Sequence, residues 1–326
     1  MTPQNHPSLP VPQKALALSA SAPLPSVFLP SEGASKRFWE FFTVNIRNQN
    51  TRKAYFGAVS TFSAWCEKHK LVLAGIQPMH VAAYIEQLGK ERSKPTVKLH
   101  LAAVRMLFDW LVIGQVVPLN PAHSVRGPKH VVKKGKTSVL SAEEMGLLLK
   151  SIDTTKLIGL RDRALIATMG YTFARVGATV GLMVGDYYIQ GRRSWLRLHE
   201  KGGKVSEIPC HHSLETFIDE WLAVSGLAGE AAAPLFPSFE KKRLARSHLA
   251  QANVHLIVQR RAKEAGIETK ISCHSFRATG ITTYLQNGGK LEVAQAMAGH
   301  ESARTTGLYD RRDDAIALDE VERVVY

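Results

Sequence analysis

The chain has 326 residues, of which 45% are hydrophobic, so it is long enough for two domains that each bury a core. Forty-two lysines and arginines oppose 28 aspartates and glutamates, and the resulting formal charge of +14 favours a polyanionic partner such as nucleic acid, although charge alone equally allows a ribosome-associated or membrane-surface protein. The three cysteines show no CxxC spacing and no apolar run reaches the roughly 18 residues of a membrane helix, so we expect a soluble cytoplasmic protein without a disulfide framework or a structural zinc site.

The N-terminal part of the sequence predicts a leader followed by a helical bundle. Residues 1–34 are rich in proline, serine and alanine, which is typical of a flexible segment. From residue 35 to about residue 125, apolar side chains recur at three- and four-residue steps and indicate four helices. Asn50 or Thr51 is the expected N-cap of the second helix.

A second domain is predicted after a basic connection. Residues 126–137 hold two glycines, a proline and several lysines, which indicates an extended linker. Residues 138–326 then begin with a capping box, Ser141 followed by Glu144. In the middle of this domain, alternating residues around Gly202-Gly203 predict a β-hairpin. Helices follow, ending in a short amphipathic tail helix in IALDEVERVVY, so the fold class is mostly α with a small β-sheet.

Several cationic side chains are placed where they could bind a phosphate. His274 and Arg277 stand three residues apart at a predicted helix start, where the helix dipole also favours an anion. Arg175 lies among small and apolar residues, a setting in which arginine needs a partner. Two arginines can fork onto the non-bridging oxygens of a phosphodiester. Lys201 and Lys204 flank the hairpin turn.

Tyr309 stands in a polar, cation-rich segment, GHESARTTGLYDRR, which is unusual for a core tyrosine. A phenol with a pKa near ~10 becomes a useful nucleophile when a base and nearby cations help its proton to leave. Attack on a phosphodiester would form a phosphotyrosine ester, which keeps the energy of the broken bond, so rejoining needs no ATP. The arginines would neutralise charge as a metal does in most nucleases, and we predict neither a metal nor another cofactor.

These residues, taken in order, resemble the catalytic set of the tyrosine recombinase (phage integrase) family. The positions that match are Arg175, Lys201, His274 and Arg277 in HSFR, His300 in GH, and Tyr309. The nine-residue step from His300 to Tyr309 is similar to the Xer-type pattern. The resemblance runs from about residue 35 to the C-terminus.

The resemblance implies a fold and a mechanism. It implies a SAM-like helical core-binding domain and a mixed α/β catalytic domain that close around DNA as a C-shaped clamp. Tyr309 would form a 3′-phosphotyrosyl link and release a 5′-hydroxyl. Arg175 and Arg277 would hold the non-bridging oxygens, and Lys201 would protonate the leaving oxygen. His274 would assist proton transfer, and His300 would bond to the phosphate.

The resemblance also implies partners. We expect double-stranded DNA with a specific target site and a homotetramer on that DNA, joined through the C-terminal tail, with docking of the tail on its own domain as the alternative. The reaction would integrate or excise a mobile element or resolve dimers. The expected DNA contacts are Thr51, Arg52, Lys94, Thr96, Lys98 and Lys204.

One position departs from the family pattern, and other classes of function stay open. Ala178 stands where family members commonly carry an acid, whereas Asp186 matches a frequent acidic position. A relaxing enzyme of the type IB topoisomerase class or a noncatalytic DNA-binding relative are the alternatives. Away from the array, His211 and His212 are expected on the surface. Arg260, Arg261 and Lys263 are expected on a solvated helix face.

Overall fold

The computed structural model describes residues 25–28, 32–130, 135–200, 202–241, 243–310 and 322. Contacts divide the chain into two compact units, Met1–Val131 and Val132–Tyr326. The described residues form many helices and two small antiparallel sheets, which confirms the predicted fold class. Residues 1–24 of the expected leader and nearly all of the expected tail helix lie outside the described part of the chain.

The described residues of the first unit form four α-helices, as predicted. They are α1 (Glu32–Glu40), α2 (Gln49–Lys68), α3 (Pro78–Glu91) and α4 (Lys94–Ile113). A π-helical turn, Phe41–Asn45, continues α1. The side chain of Asn48 accepts hydrogen bonds from the backbone N–H groups of Asn50 and Thr51, so Asn48 is the N-cap of α2 and the predicted cap was two or three residues late.

Aromatic side chains fill the core of this unit. Phe38, Phe42 and Phe56 pack edge to face, with ring centroids 5.2–6.5 Å apart. Val27 and Phe28 are buried in the same core. The packed chain therefore begins upstream of residue 35, inside the segment for which the proline content predicted a leader.

The second unit alternates helices with short strands. Its elements are α5 (Ala142–Ser151), α6 (Leu157–Thr172), α7 (Val176–Val180), β1 (Tyr187–Gln190), β2 (Arg193–His199), β3 (Val205–Pro209), α8 (His212–Ser225), β4 (Pro237–Glu240), β5 (Arg243–His248), α9 (Gln251–Glu264), α10 (Cys273–Gln286), α11 (Leu291–Ala298) and α12 (Ala303–Gly307). One sheet has the order β1-β2-β3 and the other pairs β4 with β5.

Two local sequence signals are confirmed in this unit. Ser141 and Glu144 form the reciprocal capping box at the start of α5. β2 and β3 form the predicted antiparallel hairpin, and Gly202 and Gly203 in its turn both have positive φ, at 83° and 78°. The hairpin brings Glu200 and Lys204 to the edge of the candidate site.

Helix α6 lies at the centre of the second unit and carries a buried ion cluster. Asp162 accepts hydrogen bonds from Arg161, Arg260 and Arg261. The side chain of Arg261 is only 9% exposed, so the prediction that it lies on a solvated face is wrong. Its partner, Asp162, is 99 residues away in sequence, so helix periodicity could not predict the pair. None of the described helices is both long and apolar enough to span a membrane.

Candidate active site

Tyr309 lies just after α12 and is anchored through its backbone. Its N–H donates to the carbonyl of Thr306 at 2.9 Å, and its carbonyl accepts from the hydroxyl of Thr282 at 2.9 Å. The preceding carbonyl, that of Leu308, accepts from the N–H of Gly135 at 2.9 Å. A β-carbon at position 135 would come within 2.7 Å of that oxygen, so the contact requires glycine.

The phenol of Tyr309 is buried and contacts His274. The residue is 8% exposed, and its Oη lies 2.8 Å from His274 Nε2. His274 occupies the first turn of α10, whose start is fixed by a capping box between Ser272 and Ser275. Burial and the positive charges of Arg277 and Arg175 lower the pKa of His274, so its ring is neutral near pH 7 and its Nε2 can accept a hydrogen bond from the phenol.

His300 packs against the other side of the phenol. Its ring lies parallel to the Tyr309 ring, with centroids 5.9 Å apart and an interplanar angle of 9°. Its Nδ1 is 2.9 Å from the hydroxyl of Thr306. Burial, followed by the charges of Arg277, Arg175 and His274, lowers the pKa of His300 to about 4. Both imidazoles beside Tyr309 are therefore uncharged at neutral pH.

Arg277 is a buried cation held by backbone carbonyls. It is 1% exposed and donates to the carbonyls of Phe173 and Ala298. Its Nε is buried and has no hydrogen-bond partner among the described residues. Burial and the charge of Arg175 lower the pKa of Arg277 to about 10, against the opposing effect of Glu200. A buried donor of this kind favours binding of an anion.

Arg175 approaches the same place from the N-terminus of α7. Phe173 ends α6 with a φ of 56°, and this left-handed residue turns the chain so that Arg175 becomes the N-cap of α7. The Arg175 side chain stays 39% exposed, and its Nη1 donates to Glu200 Oε2 at 2.6 Å. Sequence reasoning missed Glu200. The available signal was an acid directly before Lys201 in a cationic segment.

Burial and neighbouring charges set the protonation state of the Tyr309 phenol. Burial raises the pKa of Tyr309, while Arg277 and Arg175 oppose that rise. The phenol therefore remains protonated at neutral pH, and the neutral ring of His274 lies within hydrogen-bonding distance of it. The arrangement combines a neutral base, a buried phenol and two cations, and it is suited to nucleophilic attack on a phosphate.

Of the two lysines at the hairpin turn, Lys204 is among the described residues and Lys201 is not. Lys204 is exposed, and its Nζ is 3.2 Å from Glu301 Oε1. Lys204, Glu301, Arg175 and His300 line one cavity of about 680 Å³, which places Lys204 at the rim of the candidate site.

The predicted DNA contacts of the first unit lie at the starts of two helices. Lys94 and Lys98 are exposed in the first turns of α4, and the Thr96 hydroxyl is 2.9 Å from that of Ser93. Arg52 in α2 donates twice to the carbonyl of Ile46, at 3.0 and 2.8 Å, so its guanidinium has a structural partner. Thr51 bonds to the cap residue of α2.

The structure also locates four other residues that the sequence analysis singled out. Ala178 is buried in α7, and Asp186 is buried, accepting from the N–H of Met183 and from His199. His211 and His212 are exposed, as predicted. Among the described residues, no group of three or more acidic, histidine or cysteine side chains could hold a metal ion.

Known protein families and curated proteins match most of the sequence of this chain. The profile of the phage integrase family matches residues 138–315, and that of the phage integrase N-terminal SAM-like domain matches residues 36–114. The chain is 27% identical to tyrosine recombinase XerC of Vibrio atlanticus (strain LGP32) over 311 residues, 91% of this chain and 93% of that protein. It is 31% identical to XerC of Pelobacter propionicus over 226 residues, 69% of this chain and 72% of that protein.

Solved structures share the fold at lower identity. The XerH recombinase bound to a palindromic difH substrate, a post-cleavage complex, superposes with a TM-score of 0.67 at 18% identity, covering 95% of this chain and 92% of that one. A lambda integrase tetramer bound to a Holliday junction gives 0.68 at 18% identity, covering 87% and 79%. These likenesses support the predicted two-part fold, with a helical SAM-like region and a mixed α/β region.

Proposed function

The chain belongs to the phage integrase family of tyrosine recombinases, enzymes that break and rejoin DNA strands, and we propose that Tyr309 is its nucleophile. The observation that carries this proposal is the 2.8 Å contact between Tyr309 Oη and His274 Nε2 in a pocket that also receives the charges of Arg277 and Arg175. The Xer recombinases and lambda integrase among its relatives support site-specific recombination rather than relaxation of supercoils.

The proposed cleavage step follows from the protonation states. His274 Nε2 accepts the proton of Tyr309 as the phenolate oxygen bonds to phosphorus, and the bond from phosphorus to the 5′-oxygen breaks. The product is a 3′-phosphotyrosyl ester, and the leaving oxygen takes a proton. By the family resemblance, Lys201 supplies that proton. Religation runs the same steps in reverse, so no ATP is consumed.

The two arginines would bind the scissile phosphate. Arg175 is half exposed and Arg277 brings a buried Nε–H without a partner among the described residues, so together they offer donors to both non-bridging oxygens. His300 would donate to the phosphate in the transition state. The positive charges would also stabilise the phenolate as it forms.

Substitution of Tyr309 by Phe tests the nucleophile. The change should abolish the covalent protein–DNA adduct and leave DNA affinity nearly unchanged, because only the attacking oxygen is removed. The adduct is measured on denaturing gels with a nicked duplex, carrying a site that the wild-type protein selects from a random library. Tyr284→Phe is the matched control, since Tyr284 packs beside the same core without contacting His274. An adduct that persists in Tyr309→Phe would refute the assignment.

We further propose that the protein acts in the cytoplasm on duplex DNA with a specific site, and that each of the two units contacts the DNA. The net charge of +14 and the exposed Lys94 and Lys98 at the start of α4 support a phosphate-binding surface on the first unit. Thr51, Arg52, Thr96 and Lys204 complete the proposed contacts. Whether the reaction integrates, excises or resolves DNA is a property of the sites that it joins.

We propose that the C-terminal tail joins protomers in a homotetramer on DNA. Its sequence has an apolar stripe and three acids, Asp319, Glu320 and Glu322. The second unit has a cavity of about 690 Å³ whose lining includes the apolar side chains of Met145 and Leu149 and the cations of Arg192 and Arg193. These side chains suit the apolar stripe and the acids of a neighbouring protomer's tail.

Deletion of residues 316–326 tests this role. The deletion should leave binding to a single site intact and abolish assembly of two sites into one complex, as measured by native gels and sedimentation. The double change Arg192→Glu and Arg193→Glu should weaken assembly in the same way, because the rim would then repel the acidic tail. Full assembly by the truncated chain would refute the proposal.

A further inference from the structure

Glu200 is an acidic side chain inside a site that is otherwise suited to an anion. Its carboxylate is 6% exposed, and Arg175 is its ion-pair partner, with Nη1 and Oε2 2.6 Å apart. Burying a carboxylate is costly unless it is paired and hydrogen-bonded. A negative charge beside a phosphate site is also unfavourable for DNA binding, so its presence there calls for a local role.

The ion pair leaves part of the Arg175 side chain exposed, where it can bind a phosphate. The guanidinium side chain is 39% exposed, whereas Glu200 lies on the interior side. One of the terminal nitrogens of Arg175 is engaged by the carboxylate, and the other donors of the guanidinium can still face a phosphate. Glu200 thus engages one terminal nitrogen of Arg175, and both side chains line the cavity that also contains His300.

The position of Glu200 is itself fixed by the hairpin. Its N–H donates to the carbonyl of Lys204 at 2.7 Å across the turn. The ion pair therefore ties Arg175, at the start of α7, to the backbone of the β2–β3 hairpin. Lys201 follows Glu200 directly in sequence, so the same hairpin carries the proposed proton donor for the leaving oxygen.

Position 178 shows why this chain needs such a contact. The residue three positions after Arg175 is Ala178, which is buried and has no carboxylate to offer. Arg277 is held by the carbonyls of Phe173 and Ala298, and among the described residues the carboxylate that pairs with Arg175 comes from the hairpin. Glu200 also opposes the mutual repulsion between Arg175 and Arg277 before DNA binds.

We propose that Glu200 is a positioning residue for Arg175, holding its guanidinium in the orientation that meets the scissile phosphate and doing so in place of an acid at position 178. The proposal rests on the proposed function, since it concerns the cleavage step of that same site. It predicts that loss of the carboxylate slows cleavage through Arg175 and leaves the nucleophile and the fold unchanged.

The test compares Glu200→Gln with Glu207→Gln in single-turnover adduct formation. Glu207 is the matched control because it lies on the same hairpin and pairs with an arginine, Arg197, at 3.0 Å, outside the site. Each protein is assayed on a nicked duplex of a site selected by the wild-type enzyme. We expect Glu200→Gln to slow adduct formation on the order of tenfold or more, since a misplaced phosphate clamp can cost about a hundredfold, and Glu207→Gln to match the wild type.

A second substrate separates positioning of Arg175 from general damage. A methylphosphonate at the scissile position is uncharged, so its reaction depends less on Arg175. The deficit of Glu200→Gln should shrink on that substrate, with DNA affinity and melting temperature unchanged on both. An equal deficit on both substrates, or a rate at or above that of the wild type, overturns the role of Glu200. Absence of an adduct from the wild-type protein would instead refute the proposed function itself.

Discussion

Two arginine clusters in the second unit hold their cations in different ways. In the structural cluster, the carboxylate of Asp162 accepts from Arg161 at 2.6 Å and from Arg261 at 2.7 Å. In the catalytic cluster, Arg277 is held by neutral carbonyls and the carboxylate of Glu200 pairs with Arg175. The first cluster is built around an internal anion, and the second leaves room for an anion from outside.

The pKa values of the arginines follow this difference. Burial opposes the charged form of Arg261, but the hydrogen bonds and charges of Asp162 and Glu264 outweigh it and raise its pKa. Burial and Arg175 lower the pKa of Arg277 to about 10. An arginine thus stabilises the fold in the first cluster, and in the second cluster an arginine is proposed to bind a phosphate.

Removing the internal anion should have the largest effect on stability. Asp162→Asn leaves Arg161 buried without its carboxylate and Arg261 with only the half-exposed Glu264, and loss of one partner of a buried ion pair costs about 3–5 kcal/mol. Urea denaturation followed by circular dichroism measures the free energy of unfolding. Glu264→Gln removes a half-exposed partner of the same cluster and should cost at most about 1 kcal/mol. Equal costs would contradict the central role of Asp162.

Removing the buried cation of the catalytic cluster should affect the reaction more than the fold. Arg277→Gln should slow adduct formation by about 100- to 1000-fold, the range for loss of one preorganised donor to developing charge. Its free energy of unfolding should fall by less than that of Asp162→Asn, because Asp162 leaves uncompensated charges behind and Arg277 does not. A variant that unfolds as readily as Asp162→Asn would show that Arg277 is mainly structural.

The histidines beside Tyr309 should report the excess positive charge of the catalytic cluster. Burial and the two arginines lower the pKa of His274 from 6.5 and that of His300 to about 4, so both should titrate below the pH of a free imidazole in NMR spectra. In Arg175→Gln both pKa values should rise. Because the folded protein binds fewer protons than the unfolded chain below pH 6.5, their contribution to stability is present above that pH and declines as the pH falls. An unchanged titration in Arg175→Gln would contradict this coupling.

Local chemistry explains which parts of the fold were predictable. The capping box at Ser141 and the turn at Gly202-Gly203 depend on residues that are adjacent in sequence, and both are found where the sequence places them. β1 and the pair β4–β5 were not predicted, because they are four to six residues long and lack a clear apolar alternation. Short strands of this kind form only when their neighbours are in place.

The same limit applies to the site. The order of the motif residues predicted a shared site, and in the structure the side chains of Arg175, His274, Arg277 and His300 lie around Tyr309. The sequence did not show Arg261 against Asp162, which is 99 residues away, or Glu200 against Arg175, which is 25 residues away. Pairs of opposite charge have no periodicity, so only the folded chain reveals which of many possible partners meet.

The N–H of Gly135 donates to the carbonyl of Leu308, so the start of the second unit is bonded to the backbone next to the proposed nucleophile, Tyr309. Residue 135 is the first described residue after the connection between the units, and Leu308 is the residue before Tyr309. A displacement of the backbone at residue 135 therefore reaches the Cα of Tyr309 through a single peptide group. The first described residue of the second unit is thus bonded to the residue directly before the proposed nucleophile.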